Sequence, residues 1–178
     1  MKAEQGRKLV IFGNSASGKS SLAKKLAEQA QLAHLDLDTL AWLPNPVADT
    51  CGPSDAIPQR QRLDVSLAQI NAFIAQHNAW VIEGCYSDLL APTLAKCKEI
   101  IFLNLPVELC IDNAKNRPWE PHKYKSKTEQ DANLTMLIAW ISQYETRTDT
   151  FSKLAHQQLF DDFNGNKQQY FSNQNAIR

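Results

Sequence analysis

One stretch constrains this chain more than any other: Gly13-Asn14-Ser15-Ala16-Ser17-Gly18-Lys19-Ser20, read together with its flanks. Leu9-Val10-Ile11-Phe12 before it is an apolar run of strand-forming residues. After it, Leu22, Ala23, Leu26, Ala27 and Ala30 recur at helical spacing. A strand, a G-x-x-x-x-G-K-S loop and a helix in that order form the context of a phosphate-binding P-loop. Its glycines let backbone N–H groups turn inward and form an anion nest at the positive end of the helix. Nucleotide phosphates are therefore expected along Gly13, Asn14, Ser15, Ala16, Ser17, Gly18, Lys19, Ser20 and Ser21. Lys19 is expected to reach the β- and γ-phosphates, and the Ser20 hydroxyl to take one position on magnesium. ATP and Mg2+ follow as the expected cofactors. An ordinary Gly/Ser-rich turn before a helix would not need all of these fixed positions.

The rest of the chain bounds this reading. Its 178 residues suit one domain, 1–178, with a real core and room for an insert. Lys and Arg balance Asp and Glu at 19 each, so no global field favours nucleic acid as a partner. The four cysteines, Cys51, Cys85, Cys97 and Cys110, have no C-x-x-C spacing and complete no zinc pattern with the histidines. They read as reduced thiols of a cytoplasmic protein. Met1 to Gly6 is polar and lacks a signal-peptide core, and no apolar run reaches the ~18 residues that span a bilayer.

Strands are predicted at Lys8–Phe12, Ala33–Asp38, Trp80–Gly84, Glu99–Leu105 and Gln168–Phe171. Helices are predicted over Lys19–Ala30, Gln59–His77, Leu89–Lys96, from Pro106 onward, Glu129–Arg147 and Ser152–Phe163. Alternating strands and helices behind a P-loop imply a three-layer α/β/α sandwich with a mostly parallel five-stranded sheet. Right-handed crossovers then gather the loops after each strand on one edge. Two regions depart from the pattern. Between Ala41 and Pro58, four prolines (Pro44, Pro46, Pro53 and Pro58) and Gly52 exclude a long helix or an interior strand. Trp42, near the start of that insert, reads as a packing anchor or as part of a substrate wall. From Lys115 to Lys127, five cations (Lys115, Arg117, Lys123, Lys125 and Lys127) face one acid, Glu120.

Three acids could serve a phosphate site. Asp36 and Asp38 fall on one side of the second strand at its carboxyl end, where open parallel sheets bind ligands. One could hold a magnesium-bound water while the other orients or deprotonates an acceptor hydroxyl. As structural residues they would be a strand-end acid and a helix cap. Glu83 ends the third strand, the position for an acid acting through magnesium or as a base. Phosphoryl transfer depends on stabilising charge around the transferring group. A proline-punctuated cationic flap carrying Arg117 suits that task, whereas the alternating lysines read as solvated surface. Arg147 is a second cationic candidate, and Arg60 and Arg62, expected at a helix start, are a weaker hint of a ligand. His34, His77, His122 and His156 share no spacing and carry no assigned chemistry.

With these residues in view, the chain resembles the adenylate kinase/shikimate kinase group of small P-loop kinases. Within that group it is most similar to the adenylate-kinase-like proteins labelled DNA topology modulation proteins. The resemblance runs through GNSASGKS, LDLDTLAW, WVIEGCYS, EIIFLNLPVELC and the basic segment after Asn116-Arg117. It implies a five-stranded parallel sheet, a substrate-binding insert at about 41–77 and a lid at about 117–128. Two departures matter. Glu83-Gly84-Cys85-Tyr86-Ser87 lacks the arginine of the D-G-x-P-R signature of adenylate kinases, and it lacks the glycine triplet of shikimate kinases. Asp36-x-Asp38 does resemble the shikimate kinase acid pair. Neither substrate is carried over. The expected activity is ATP-dependent phosphotransfer to a small-molecule acceptor by a monomer or homodimer. Lys19, Asp38 and Arg117 are the expected catalytic groups, and Ser20, Asp36 and Glu83 the expected metal ligands. A hydroxyl acceptor is slightly favoured over a nucleoside monophosphate, because an anionic phosphate needs no base. The alternative is a nucleotide-dependent regulatory protein that keeps the kinase fold with little turnover.

Overall fold

The computed structural model describes residues 6–43, 58–121 and 124–173. Pro44, Cys51, Gly52, Pro53, His122 and Lys123, with most of the proline-rich insert, lie outside the described residues. Five strands form one wholly parallel sheet: β1 (Lys8–Gly13), β2 (Ala33–Asp36), β3 (Trp80–Gly84), β4 (Glu99–Leu103) and β5 (Asn166–Tyr170). Their order is β2-β3-β1-β4-β5. The chain runs from β1 to the β2 edge, returns to β3, then crosses β1 to reach β4 and β5. This reversal opens a crevice outside the carboxyl end of β1, the general place for a ligand in such a sheet.

Eight helices accompany the strands among the described residues: α1 (Lys19–Ala30), α2 (Asp38–Ala41), α3 (Leu63–Gln76), α4 (Ser87–Leu94), α5 (Val107–Lys115), α6 (Lys127–Ala132), α7 (Leu134–Ser142) and α8 (Lys153–Asp162). The strands are apolar on both sides because both sides are covered. Val10, Phe12, Ile82, Ile100 and Phe102 share one core with Ile70 of α3, Leu89 and Leu90 of α4 and Leu159 of α8. Their sequence neighbours Leu9, Ile11, Val81, Ile101 and Leu103 point the other way, to Leu22 of α1, Cys110 of α5 and Ile141 of α7. Period-two alternation thus builds both cores from the same strands. Each fully buried Leu, Ile or Phe contributes roughly 1.5–3 kcal/mol. The expected three-layer sandwich is present, and β5, polar and mostly exposed, closes the other edge.

Four local expectations are corrected. Asp38 is not in the second strand: β2 stops at Asp36, whose Oδ1 accepts the Asp38 N–H at 2.9 Å, and Asp38 opens α2. A short side chain that bonds the backbone two residues on ends a strand locally. The helix expected from Gln59 begins only at Leu63, because Gln59–Gln61 is spent on an antiparallel bridge between Arg60 and Trp42. There Leu43 N–H donates to Gln59 O and Gln61 N–H to Ala41 O, both at 2.9 Å. Leu63 is consequently exposed instead of heading the buried stripe. α4 starts at Ser87, two residues early, because Thr150 accepts the Ser87 N–H through its carbonyl and the Asp88 N–H through its hydroxyl. The helix expected over Glu129–Arg147 is two helices, broken at Asn133 and finished at Ser142. The Asn133 side chain donates to Glu129 O at 2.9 Å while its backbone N–H is shared between Glu129 O and Gln130 O, the competition with the backbone that Asn brings to a helix interior. Arg147 therefore lies beyond the helix, not at its end. Smaller shifts also occur: β4 ends at Leu103 and β5 begins at Asn166.

Behind the sheet edge sits His156, fully buried. Its Nε2 lies 2.9 Å from Cys85 O and its Nδ1 2.8 Å from the Tyr144 hydroxyl. A carbonyl only accepts, so Nε2 carries the proton and Nδ1 accepts from Tyr144. Burial lowers its pKa to about 4, so the ring is neutral at physiological pH and acts as a structural strut for the backbone after Gly84. Cys85, Cys97 and Cys110 are free thiols. Burial pushes Cys85 and Cys97 up to about 12, which leaves neither as a thiolate nucleophile. Among the described residues no helix is long and apolar enough to cross a membrane.

Candidate active site

The site begins where β1 ends. Gly13 has φ +151°, and a Cβ there would stand 2.4 Å from Leu103 O and 3.2 Å from Ser17 Oγ. Only glycine lets β1 turn this close to β4. The loop is then fixed by its own side chains. Asn14 Oδ1 accepts the Ser15 N–H at 2.8 Å, and Asn14 Nδ2 donates to Ile141 O of α7 at 3.2 Å. Ala16 takes the left-handed conformation at φ +58°. Asn113 of α5 donates to Ala16 O at 2.9 Å and pairs with Asn173 through two amide hydrogen bonds. α1 follows directly from Gly18, so its first N–H groups face the loop. Lys19 is buried, and its ammonium donates to Asn14 O at 2.7 Å, which holds it across its own loop.

Two cavities meet here. The first, about 290 Å3, is lined by Ser15, Gly18, Lys19, Ser20 and Ser21 of the loop, by Asp38, Glu83 and Cys85, and by Arg117, Glu120 and Tyr124 of the basic segment. The second, about 500 Å3, shares Ala16, Gly18, Ser21 and Arg117 with it and continues along Lys25, Asn113, Asn116, Pro118 and Asn173. Arg117 stands in the wall of both. The structure thus brings together Lys19, Ser20, Asp38, Glu83 and Arg117 from four separate parts of the chain.

Each acid has a distinct setting. Glu83 is almost wholly buried, and its Oε1 makes no hydrogen bond among the described residues, with His34 Nε2 at 3.6 Å. Glu83 lines the first cavity, and a desolvated carboxylate there fits a hydrated magnesium ion, which keeps several waters and needs only one or two protein oxygens. Ser20 lines the same cavity and fits the same ion. Asp36 lies beside Glu83 in the sheet register, yet its Oδ1 is committed to the turn that starts α2 and it does not line the cavity. Asp38 is exposed towards the cavity, and its Oδ1 accepts the Tyr86 hydroxyl at 2.6 Å. Among the described residues no group of three or more His, Cys, Asp or Glu side chains forms a ready metal cage.

The cations differ as much. Arg117 follows α5 and pairs with Glu120 at 2.9 Å, with its guanidinium 5.9 Å from the Tyr124 ring centroid. Its Nε is buried with no hydrogen-bond partner among the described residues. Buried Gln130 staples this segment, accepting the Glu120 N–H at 2.9 Å and donating to Pro118 O at 3.1 Å. Arg147 is elsewhere: it pairs with Asp149 and stacks 3.8 Å from the Trp140 centroid, outside both cavity walls. Arg60 is boxed among the rings of Trp42, Tyr86 and Phe151 and pairs with Asp88 at 3.1 Å. Arg62 is exposed and holds the Asp64 carboxyl below the usual carboxylate range. Sequence reasoning missed Tyr86, Asn113 and Gln130. Gln130 carries no signal, being one polar residue in a polar helix, whereas an aromatic directly after Glu83-Gly84-Cys85 was visible as a candidate.

The sequence model of the AAA domain family matches residues 9–134, from β1 through the start of α7. The chain belongs to the AAA domain family. Nucleotide binding at the P-loop follows from that membership, and the loop geometry above is this AAA domain's version of it. No curated protein matches the chain. Among solved structures, a sugar kinase from a Janibacter species aligns with a TM-score of 0.50 at 14% identity, covering 93% of this chain and 84% of that one. A shikimate kinase from Bacteroides thetaiotaomicron aligns at 0.45 and 14% identity, covering 87% of this AAA domain chain and 97% of the kinase. The YorR protein of Bacillus subtilis, solved with phosphorylated GDP, aligns at 0.46 and 11% identity over 93% and 86% of the two chains. At these identities the sugar kinase likeness speaks for the fold alone.

Proposed function

We propose that this protein is a P-loop phosphotransferase that moves the γ-phosphate of ATP to a small-molecule acceptor, with a hydroxyl favoured as the acceptor. One observation carries the reading: Lys19, Ser20, Asp38, Glu83 and Arg117 line a single cavity of about 290 Å3 outside the carboxyl end of β1. The nest from Gly13 to Ser21 binds the phosphates, and Lys19 moves from Asn14 O onto the β- and γ-oxygens. Ser20 directly and Glu83 through water would hold magnesium, which when bound spreads the charge of those oxygens. Glu83 lines that cavity and Asp36 does not, which favours Glu83 over Asp36 for the task. Asp38 orients the acceptor hydroxyl and takes its proton as the new bond forms. Arg117 answers the charge on the transferring group, and the 117–128 segment closes as a lid that excludes water.

The 41–77 segment supplies the acceptor pocket in this reading. The narrower likeness to the adenylate-kinase-like DNA topology modulation proteins belongs to it as well, as does a cytoplasmic setting. The test is ADP formation by purified protein with magnesium and ATP, screened against pools of polyols, nucleosides and nucleoside monophosphates. One hydroxyl-bearing pool is expected to drive turnover, and Arg117→Ala to lower it about 10^3-fold or more, the scale of a lost arginine finger. ATP binding with no acceptor-dependent ADP in any pool would overturn the kinase and leave a nucleotide-dependent regulator.

A further inference from the structure

Asp38 stands on a four-residue helix at the surface, a poor platform for a group that must meet an acceptor within a few tenths of an ångström. Two features make it rigid. Leu37, just before it, is buried, and its N–H donates to Glu83 O at 2.9 Å. Gly84 permits that approach: a Cβ there would stand 2.9 Å from Leu37 Cβ and 3.1 Å from Tyr86 Cδ2. The second feature is a directed pair of hydrogen bonds. Trp42 Nε1 lies 2.7 Å from the Tyr86 oxygen, which lies 2.6 Å from Asp38 Oδ1. An indole N–H only donates, so the Tyr86 oxygen accepts from Trp42 and its single proton points at Asp38. Burial and the neighbouring Asp38 charge both push the Tyr86 phenol up, so it keeps that proton throughout the physiological range.

We infer that Tyr86 is a positioning residue that aims the Asp38 carboxylate at the acceptor, and that Trp42 ties this aim to the neck of the acceptor insert. The inference rests on the proposed kinase reading for its chemistry. Trp42 and Arg60 pair across the neck of that insert, and the Arg60 guanidinium covers both the Trp42 and Tyr86 rings. Any shift of the neck as the acceptor enters therefore reaches Asp38 through two hydrogen bonds. The Tyr86 ring is held independently, edge-on to Phe151 at 5.4 Å between centroids, so Tyr86→Phe removes the hydroxyl while keeping the packing.

Tyr86→Phe is expected to lower kcat roughly tenfold with KM for ATP within about twofold, the scale of one lost charge-assisted hydrogen bond. Trp42→Phe should have a smaller effect, and the double variant should be no worse than Tyr86→Phe alone, since both act on one relay. A second readout needs no turnover: the 15N–1H indole resonance of Trp42, assigned by its loss in Trp42→Phe. It is expected to move in both Tyr86→Phe and Asp38→Asn. Acceptor-dependent turnover with undiminished kcat in Tyr86→Phe overturns the positioning role and leaves the kinase standing. Absence of turnover in the unmodified protein overturns the kinase reading, and the indole resonance then decides the relay by itself. A resonance unmoved in both variants overturns it.

Discussion

Lys19→Ala is expected to lower acceptor-dependent ADP formation by at least about 10^3-fold while the protein stays folded. The ammonium is the one cation set inside the loop, and its reach to Asn14 O places it among the backbone N–H groups that receive phosphate. Removing it leaves the charge of a triphosphate answered by loop dipoles and by Arg117 across the cavity. Arg117 stands in the same cavity wall but comes from the segment after α5. Stability should change little, because the variant loses one hydrogen bond to a backbone carbonyl, worth about 1 kcal/mol. In a chain of this length that is a Tm shift of a few degrees, ~2–4 °C. Lys19→Arg is not expected to restore activity, since a planar fork does not fit where a compact ammonium lay. Steady-state assays beside thermal unfolding check both halves. Full turnover in Lys19→Ala would remove the loop from the chemistry.

Gly13→Ala is expected to have the largest effect on the fold, about 4 kcal/mol or more, or a Tm lowered by roughly 10 °C. The added Cβ would meet Leu103 O at 2.4 Å, a backbone atom at the carboxyl end of β4 that is held between β1 and β5. The φ of +151° adds backbone strain for any L side chain, so steric and conformational costs act together. β1 and β4 must separate or the loop must re-form, and either movement displaces Ser17 and the nest behind it. Nucleotide affinity should therefore fall with stability in this variant, unlike in Lys19→Ala, where function fails alone. Differential scanning fluorimetry with and without ATP distinguishes the two. A Gly13→Ala protein with unchanged Tm and unchanged ATP stabilisation would mean that the close approach at the end of β1 does not shape the loop.

The sheet was legible because its signal is local. Leu9-Val10-Ile11-Phe12, Trp80-Val81-Ile82 and Ile100-Ile101-Phe102 each need cover on two faces, and the helical stripes between them provide it. The loop was legible for the same reason, with its glycines, Lys19 and Ser20 at fixed offsets. The errors cluster where a distant residue or a short polar side chain decides the backbone. Nothing near Ser87 announces that Thr150 will cap the start of α4. Nothing near Gln59 announces the bridge that holds Arg60 against Trp42. Asp38 left the strand because Asp36 bonds its N–H, a competition that alternation of side chains does not register. Asn133 broke a helix whose apolar spacing continued through it. The Tyr86 relay was invisible for a related reason, since its three members come from positions 38, 42 and 86 and meet only in the folded chain.

The most direct measurement follows the γ-phosphate itself. With ATP carrying 18O in its γ-phosphoryl oxygens, mass spectrometry of the products after incubation with magnesium and the active acceptor pool reports where that group goes. Phosphoryl transfer at the P-loop cavity predicts the label on one new phosphorylated small molecule, in step with ADP, and none of it in Lys19→Ala. Label found only in inorganic phosphate, or ATP returned intact from every pool, would contradict it.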